Sequence, residues 1–207
     1  MRIVVLGATG ATGRHVLTTA LDRGHDVIAL ARRPEALSGL AHPRLEVRAA
    51  DVQAPVTVVD AASDADALIS VLGFSRGGPK TTLSDGARAA LDAKRPRVAW
   101  LGSFGVGASR AHSSGLHEWI QRRVLGPAGY DDKIRADELI AGPDTTIFHP
   151  VSLTNGAATG ATQVVPLDVL DRSWRVLPPT ISRADVAAAM VTEVETPAYA
   201  GRTVVLF

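Results

Sequence analysis

Apolar and polar positions follow two different periods along this chain. Short continuous apolar runs, typical of strands that are buried on both faces of a sheet, are separated by amphipathic stretches with helical spacing. The runs predict strands at residues 2–6, 27–31, 67–72, 97–101, 145–148 and 202–206, and an alternating run from Leu45 to a point near Asp51 predicts a further strand. The amphipathic stretches predict helices at residues 12–23, 54–63, 81–93, 115–141 and 182–194, with a short helix beginning at Pro34. The longest of these helices contains Gly126 and Pro127, which predict a break there.

Strands alternate with helices from residue 2 to about residue 101. Right-handed crossovers between such strands produce a parallel sheet with helices on both faces. Residues 151–180 are rich in turn signals and predict loops and short strands. We therefore predict an α/β fold with a Rossmann-like doubly wound parallel sheet. The length of 207 residues suits one domain over residues 1–207, in which residues 150–182 form a small substrate-side region.

A glycine-rich turn stands between the first predicted strand and the first predicted helix. Its residues are Gly7, Ala8, Thr9, Gly10, Ala11, Thr12 and Gly13. Glycines let the backbone turn tightly and approach an anion, and the helix that follows presents unpaired N–H groups and the positive end of its dipole. The order strand, glycine turn, helix predicts a phosphate-binding unit, so all seven residues are cofactor-binding candidates.

The second predicted strand ends at two cations, Arg32 and Arg33. A cofactor with a free ribose 2′-hydroxyl favours an acidic acceptor at this place, whereas guanidinium groups bind a 2′-phosphate through paired donors. The two arginines therefore favour NADP(H) over NAD(H). The alternative is a solvated surface pair without a ligand.

Other strand ends supply further candidates, because a doubly wound sheet binds ligands at the carboxyl ends of its strands. Asp51 is placed to accept a hydrogen bond from an adenine amine with Val52 beneath the ring, or else to cap the next turn. Gly73 either lets the backbone approach the cofactor or only turns the chain. Ser103 either orients the nicotinamide or substrate, or satisfies the backbone of its own glycine-rich loop. His149 is either a proton donor or a packed, hydrogen-bonded histidine.

Composition narrows the function classes. The chain has no cysteine, which excludes disulfides, thiol nucleophiles and cysteine-ligated metals, and the spacing of its acidic residues and histidines gives no metal site. A net charge of +1 argues against a nucleic-acid partner or an anionic membrane surface. No run approaches the roughly 20 apolar residues of a membrane span. Because Met1 leads directly into the first predicted strand, we expect no signal peptide. We expect a cytoplasmic protein, monomeric or a small homo-oligomer, with a small-molecule substrate.

The glycine turn resembles that of the atypical short-chain dehydrogenase/reductase superfamily. More narrowly, the chain is similar to the NAD(P)H-binding group that contains NmrA-like proteins, flavin/biliverdin reductases and NADPH-quinone reductases. The matching residues, which extend over nearly the whole chain, are Arg32-Arg33, Asp51-Val52, Leu72-Gly73, Gly102-Ser103, Asp132-Lys133 with Glu138, the strand that ends in Pro150, and residues 181–187. The resemblance implies an NAD(P)-binding site that also includes Leu72, Phe74, Lys133 and Pro150.

The chain departs from the superfamily in its catalytic pair. The typical enzyme has a Tyr and a Lys separated by three residues, and a Ser at the end of the fifth strand; the Tyr is the general acid and the Lys lowers its pKa and holds the nicotinamide ribose. Ser103 and Lys133 fit this pattern, but Gly129 stands four residues before Lys133. Tyr130 lies one residue later, about 100° round a helix, and should not share the face of Lys133. The catalytic candidates are therefore Ser103, Lys133, Tyr130 and His149 without a Tyr-Lys pair.

Three functions remain open. The first is an NADPH-dependent reductase for a flavin, a quinone or a carbonyl compound, which takes its proton from water or a bound acid. The second is an NmrA-like redox sensor that binds NADP(H) without catalysis, and the third is an epimerase or dehydratase. Candidate apolar walls for a flat ring are Phe74, Trp119 and Trp174, and His112 and His117 should border the substrate. Ser182 followed by Asp185 predicts a capping box with a structural role.

Overall fold

The fold is given by a computed structural model that describes residues 1–74, 78–171 and 179–207. The strands are β1 (Arg2–Leu6), β2 (Asp26–Ala31), β3 (Leu45–Ala49), β4 (Ala67–Ser70), β5 (Val98–Leu101), β6 (Thr145–Pro150), β7 (Ser152–Thr154), β8 (Val164–Pro166), β9 (Thr180–Ser182) and β10 (Thr203–Leu206). The α-helices are α1 (Ala11–Asp22), α2 (Pro55–Ala62), α3 (Thr82–Asp92), α4 (Gly115–Ile140) and α5 (Arg183–Glu195). Short 3-10 helices lie at Pro34–Leu37, Gly107–His112 and Leu167–Val169.

The central sheet has the strand order β3-β2-β1-β4-β5-β6-β10-β8. Its neighbours are parallel except at the edge, where β8 pairs antiparallel with β10. The chain moves outward from β1 to β3 and then crosses to β4 on the other side of β1, so the order reverses between β1 and β4. The predicted α/β doubly wound sheet is confirmed, and its topological switch point lies at the carboxyl ends of β1 and β4.

Each face of the sheet is covered by helices because the strand residues alternate between two apolar layers. Ile3 and Val5 of β1 belong to the layer under α1 and α5, and Val4 and Leu6 belong to the layer under α2, α3 and α4. All of these side chains are buried, as the continuous apolar run predicts.

The long helix α4 is divided by Gly126, whose backbone is not helical (φ 72°, ψ 161°), and Pro127 follows inside the helix. Proline removes one backbone hydrogen bond and fixes φ, so the break follows from the sequence. The segment before the break and the segment after it both reach the carboxyl edge of the sheet. In the 150–182 region, β7 pairs with β9 in a small parallel sheet. No helix in the described ranges is long and apolar enough to cross a membrane.

Candidate functional site

A cleft of about 970 Å³ runs along the carboxyl edge of the sheet, from the end of β2 past β1, β4 and β5 to the end of β6. This volume lies at the upper end of the range of small-molecule sites, about 300–1,000 Å³. The sequence-based candidates that line the cleft are Gly7, Thr9, Gly10, Ala11, Thr12, Arg32, Asp51, Val52, Leu72, Gly73, Phe74, Ser103, Lys133 and Pro150. The candidates that do not line it are Ala8, Gly13, Arg33, Tyr130 and His149.

The glycine turn has the geometry that an anion site requires. Gly7 has φ +83°, and a Cβ added to it would lie 2.7 Å from the carbonyl oxygen of Val71. Gly13 faces the turn from behind, where a Cβ would collide with the carbonyl oxygen of Gly7. Helix α1 begins after Gly10 with no side-chain cap and no acidic residue in its first turn. The first N–H groups of α1 are therefore free of a side-chain cap and suit the pyrophosphate of a dinucleotide. The residues of this turn fit such a cofactor.

The end of β2 contributes one arginine to the cleft. Arg32 lines the cleft next to Ala31, whereas Arg33 is exposed and begins the 3-10 helix at Pro34. Asp51 caps the following turn, because its Oδ1 accepts from the backbone N–H of Gln53 at 3.0 Å. The residue also lines the cleft, and its contact with an adenine stays a prediction.

A glycine that packs against Phe74 stands at the position of the superfamily tyrosine. Gly129 lies one helical turn before Lys133 on α4, and a Cβ added to it would be 3.5 Å from the ring of Phe74. Phe74 itself lines the cleft. An aromatic ring from the segment after β4 therefore packs where a larger side chain at residue 129 would begin.

Lys133 reaches the cleft from the second segment of α4. Desolvation by burial lowers the pKa of its ammonium group, and the charges of Asp137 and Asp132 act in the opposite direction. The neighbouring Asp132 is engaged elsewhere: its carboxylate accepts from the backbone N–H of Leu83 at 2.9 Å and caps α3. Of these two neighbouring residues, Asp132 therefore stabilises the fold, and Lys133 faces the cleft.

Tyr130 is fully buried and lies outside the cleft. Its hydroxyl donates to the carbonyl oxygen of Gly105 at 3.4 Å, and the guanidinium of Arg122 stands 4.1 Å from its ring centroid. Desolvation raises the pKa of the phenol, and the charge of Glu118 acts in the same direction. The structure therefore places Tyr130 away from the face of Lys133, as the helical angle predicts, and it does not bring this catalytic candidate to the site.

His149 is also buried outside the cleft, in a network of hydrogen bonds. Its Nε2 is 3.0 Å from Asp137 Oδ2, and its Nδ1 is 2.7 Å from the hydroxyl of Ser109. The indole N–H of Trp100 donates to the other oxygen of Asp137 at 3.0 Å. Gly102 leaves room for the imidazole, since a Cβ there would be 2.7 Å from the ring. Of the two states open for His149, the structure has the packed, hydrogen-bonded one.

Ser103 lies in the cleft beside side chains that the sequence did not single out. Its hydroxyl is 3.5 Å from Oε1 of Gln121, whose amide N–H donates to the carbonyl oxygen of Phe104 at 2.6 Å. The same amide nitrogen is 3.0 Å from Nε2 of His117, so the neutral imidazole carries its proton on Nδ1. Burial lowers the pKa of His117, which favours this neutral form. His117 lines the cleft, as its position in the 103–118 segment predicts.

The start of α5 contributes a residue whose motif predicted only a structural role. Ser182 accepts from the backbone N–H of Asp185 at 2.9 Å, which is half of the predicted capping box. The carboxylate of Asp185 instead accepts from the backbone N–H groups of Thr159 and Gly160, at 2.9 and 3.0 Å. Arg183 lines the cleft, and its Nη1 donates to Oδ1 of Asn155 at 2.7 Å.

The predicted aromatic walls have different outcomes. Phe74 lines the cleft, Trp119 is 63% exposed and does not line it, and Trp174 lies outside the described residues. Apolar surface comes instead from residues that the sequence pattern did not distinguish from core, namely Phe104, Ile120, Val124, Leu125 and Leu153. No group of His, Asp or Glu residues within the described ranges is placed to hold a metal ion.

The fold and the cleft define a dinucleotide-binding protein of the Rossmann class. The family model described as NAD(P)H-binding matches residues 7–197, and the chain therefore belongs to this family. The resemblance to the NAD(P)H-binding group of the atypical short-chain dehydrogenases/reductases is confirmed.

Solved structures with the same fold include two proteins of known cofactor class or activity. ChuY, an anaerobillin reductase from Escherichia coli O157:H7, is 24% identical with a TM-score of 0.80, over 100% of this chain and 97% of ChuY. A short-chain dehydrogenase/reductase from Veillonella parvula, in complex with NADP, is 15% identical with a TM-score of 0.77, over 99% of this chain and 93% of that protein. At these identities the similarity shows the fold alone.

A curated relative matches a shorter segment. The 3 beta-hydroxysteroid dehydrogenase/Delta 5→4-isomerase of Mycobacterium tuberculosis is 37% identical over 78 residues. The match covers 35% of this chain and 20% of the relative, so it spans about a fifth of the relative's length. Together with the family match, these similarities describe an NAD(P)H-binding, oxidoreductase-like fold.

Proposed function

We propose that this protein is an NADPH-dependent oxidoreductase that transfers a hydride to a small conjugated acceptor, such as a flavin or quinone, or to a carbonyl compound. The observation that carries the proposal is the continuity of one cleft. The cleft joins the phosphate-binding turn and Arg32 to an apolar wall around Ser103 and Lys133. A dinucleotide that lies along this cleft presents its nicotinamide end to that wall, where a flat acceptor stacks.

Preference for NADPH is assigned to Arg32, with Arg33 beside it. Arg32 lines the cleft at the end of β2, which is the position that contacts the adenine ribose in this fold. The carboxylate that lines the cleft nearby is Asp51, which follows β3 rather than β2. A guanidinium at this position favours a 2′-phosphate through charge-assisted hydrogen bonds.

At the end of the cleft away from Arg32, Lys133 and Ser103 position the nicotinamide and the acceptor next to each other. No side-chain hydrogen bond joins the ammonium of Lys133 to another described residue, so its donors suit the hydroxyls of the nicotinamide ribose. The hydroxyl of Ser103 orients the acceptor. When bound, the reduced nicotinamide supplies the hydride, and positioning against it is the main task of the protein. An acceptor that is protonated by water needs no tyrosine.

The cofactor assignment is tested by titrating the protein with NADPH and with NADH. We expect tighter binding of NADPH, and the double variant Arg32→Ala, Arg33→Ala should lose that preference while binding of NADH stays within about twofold. Arg135→Ala is the matched control, because Arg135 is exposed and does not line the cleft. Equal affinities for the two cofactors in the unaltered protein would contradict the assignment.

The reaction is tested by following the absorbance of NADPH with flavins, quinones and carbonyl compounds. We expect turnover with at least one conjugated acceptor, and Ser103→Ala should reduce kcat/KM more than it reduces cofactor affinity. ChuY, which shares the fold over nearly its whole length, is a reductase and supports this proposal. Tight NADPH binding without turnover of any acceptor would favour the redox sensor.

A further inference from the structure

The charges along the cleft are unevenly distributed. Among the described residues that line it, the charged side chains are Arg32, Asp51, Lys133 and Arg183. Asp51 is the carboxylate of this set, and it lies after β3, at the end of the cleft that suits the adenine. The acceptor end of the described lining therefore carries Lys133 and Arg183 without a carboxylate.

Arg183 lies far from the arginine that suits the 2′-phosphate. It follows β9, which pairs with β7 through Ile181 and Leu153, and β7 follows the end of β6. Four strand spacings of about 4.8 Å separate β2 from β6, so the end of β6, which leads into β7, is on the order of 19 Å from the end of β2. Because Arg183 directly follows the strand that pairs with β7, and β7 follows β6, we assign Arg183 to the acceptor end of the cleft.

One hydrogen bond holds the guanidinium beside the segment that follows β7. Its Nη1 donates to Oδ1 of Asn155 at 2.7 Å, and Asn155 belongs to the segment directly after β7. Ser152 and Leu153 of β7 line the cleft beside it. Asn155 is neutral, so the charge of Arg183 is not compensated by this contact. No other hydrogen bond joins the guanidinium to a residue in the described ranges, so its remaining N–H groups suit a ligand.

We propose that Arg183 binds an acid group of the acceptor, and that the substrate is a conjugated ring system that carries a carboxylate or phosphate. The proposal rests on the proposed function and specifies its substrate class. The apolar wall of Phe74, Phe104 and Ile120 binds the ring, and Arg183 binds the anion through paired, charge-assisted hydrogen bonds. Lys133, at the same end of the cleft, is left to the nicotinamide ribose.

The experiment uses riboflavin and FMN, which share one ring system and differ by a phosphate. With NADPH as reductant, we expect kcat/KM for FMN to exceed that for riboflavin by about tenfold, the effect of a charge-assisted hydrogen bond on affinity. Arg183→Gln should abolish the advantage of FMN and leave riboflavin within about twofold, and Arg183→Lys should restore part of it. Arg135→Gln, which removes an exposed charge that does not line the cleft, is the control.

Binding of the two flavins to the NADP⁺-saturated protein, followed by flavin fluorescence, separates this proposal from the proposed function. Tighter binding of FMN that is lost in Arg183→Gln supports the role of Arg183, even where no flavin is reduced and the reductase assignment fails. Equal binding and equal kcat/KM for both flavins would overturn the role of Arg183. Helix α5, which begins at Arg183, packs against α1, whose first turn suits the cofactor pyrophosphate. A loss of NADPH affinity in Arg183→Gln with an unchanged ratio of FMN to riboflavin binding would assign the guanidinium to the pyrophosphate. That result would also overturn the proposal.

Discussion

Substitution of Gly7 by Ala tests whether the cofactor turn depends on close backbone approach. Gly7 has φ +83°, a conformation that costs an L-residue roughly 1–2 kcal/mol. The added Cβ would also lie 2.7 Å from the carbonyl oxygen of Val71, where ordinary contacts begin at 3.4 Å. The turn and the end of β4 must therefore separate by about 0.7 Å, and overpacking of this kind costs about 1–3 kcal/mol.

The two costs together predict that Gly7→Ala lowers the free energy of unfolding by about 2–5 kcal/mol. For a chain of this size each kcal/mol lowers Tm by about 2–4 °C, so thermal unfolding should shift by about 4–20 °C. NADPH affinity should fall at least about tenfold, because the displaced turn misaligns the N–H groups that face the phosphates.

Gly160→Ala is the matched control for the backbone term. Gly160 also has positive φ, +68°, but a Cβ there meets nothing within 4 Å. Only the conformational cost of about 1–2 kcal/mol should remain, and NADPH affinity should be unchanged. If Gly7→Ala unfolds at the same temperature as Gly160→Ala and binds NADPH normally, the close approach of Gly7 to Val71 has no energetic role.

Three further perturbations address the supports of the cleft. Asp185→Asn should lower the free energy of unfolding by about 2–3 kcal/mol in denaturant titration, because charge-assisted hydrogen bonds from Thr159 and its neighbours are weakened; an unchanged midpoint would refute this. Asp132→Ala removes the cap of α3 and should cost about 1–2 kcal/mol, whereas Asp131→Ala, at an exposed neighbour, should cost less than about 0.5 kcal/mol. Burial lowers the pKa of His117, so on acidification the unfolded chain binds a proton at this residue before the folded chain does. The contribution of His117 to the free energy of unfolding is therefore complete above pH 6.5 and is lost as the pH decreases through the folded-state pKa. The variant His117→Asn should show a smaller loss of stability in that pH range, and equal slopes for the two proteins would exclude His117 as the cause.

The sequence was sufficient for the parts of the site that depend on local order. A continuous apolar run, a glycine turn and an amphipathic stretch determine one βα unit, so the position of Gly7 and Arg32 follows from spacing alone. The separation of Tyr130 from Lys133 also followed from the 100° between successive helical residues. These inferences need only the period of a helix or a strand.

The rest depended on contacts between residues that are distant in the chain. His149 ends a strand, but its side chain is held by Asp137 and Ser109 from two other segments, and no local pattern indicates that pairing. Arg183 lies between Ser182 and Asp185, whose spacing predicts a helix cap and no contact with a ligand. Its place in the cleft depends on the pairing of β7 with β9, which the sequence does not specify.

The break in α4 at Gly126 gives this protein two independently variable parts. Ile120, Gln121 and Val124, before the break, line the cleft, and Lys133, after it, lines the cleft from the segment that contacts α3 through Asp132. Because the backbone angles of Gly126 are not helical, the two segments do not share one helical axis, and side chains can be exchanged on the first segment without rotating the second. Under the proposed function, substitutions on the first segment can change the acceptor preference while the residues assigned to the dinucleotide stay the same.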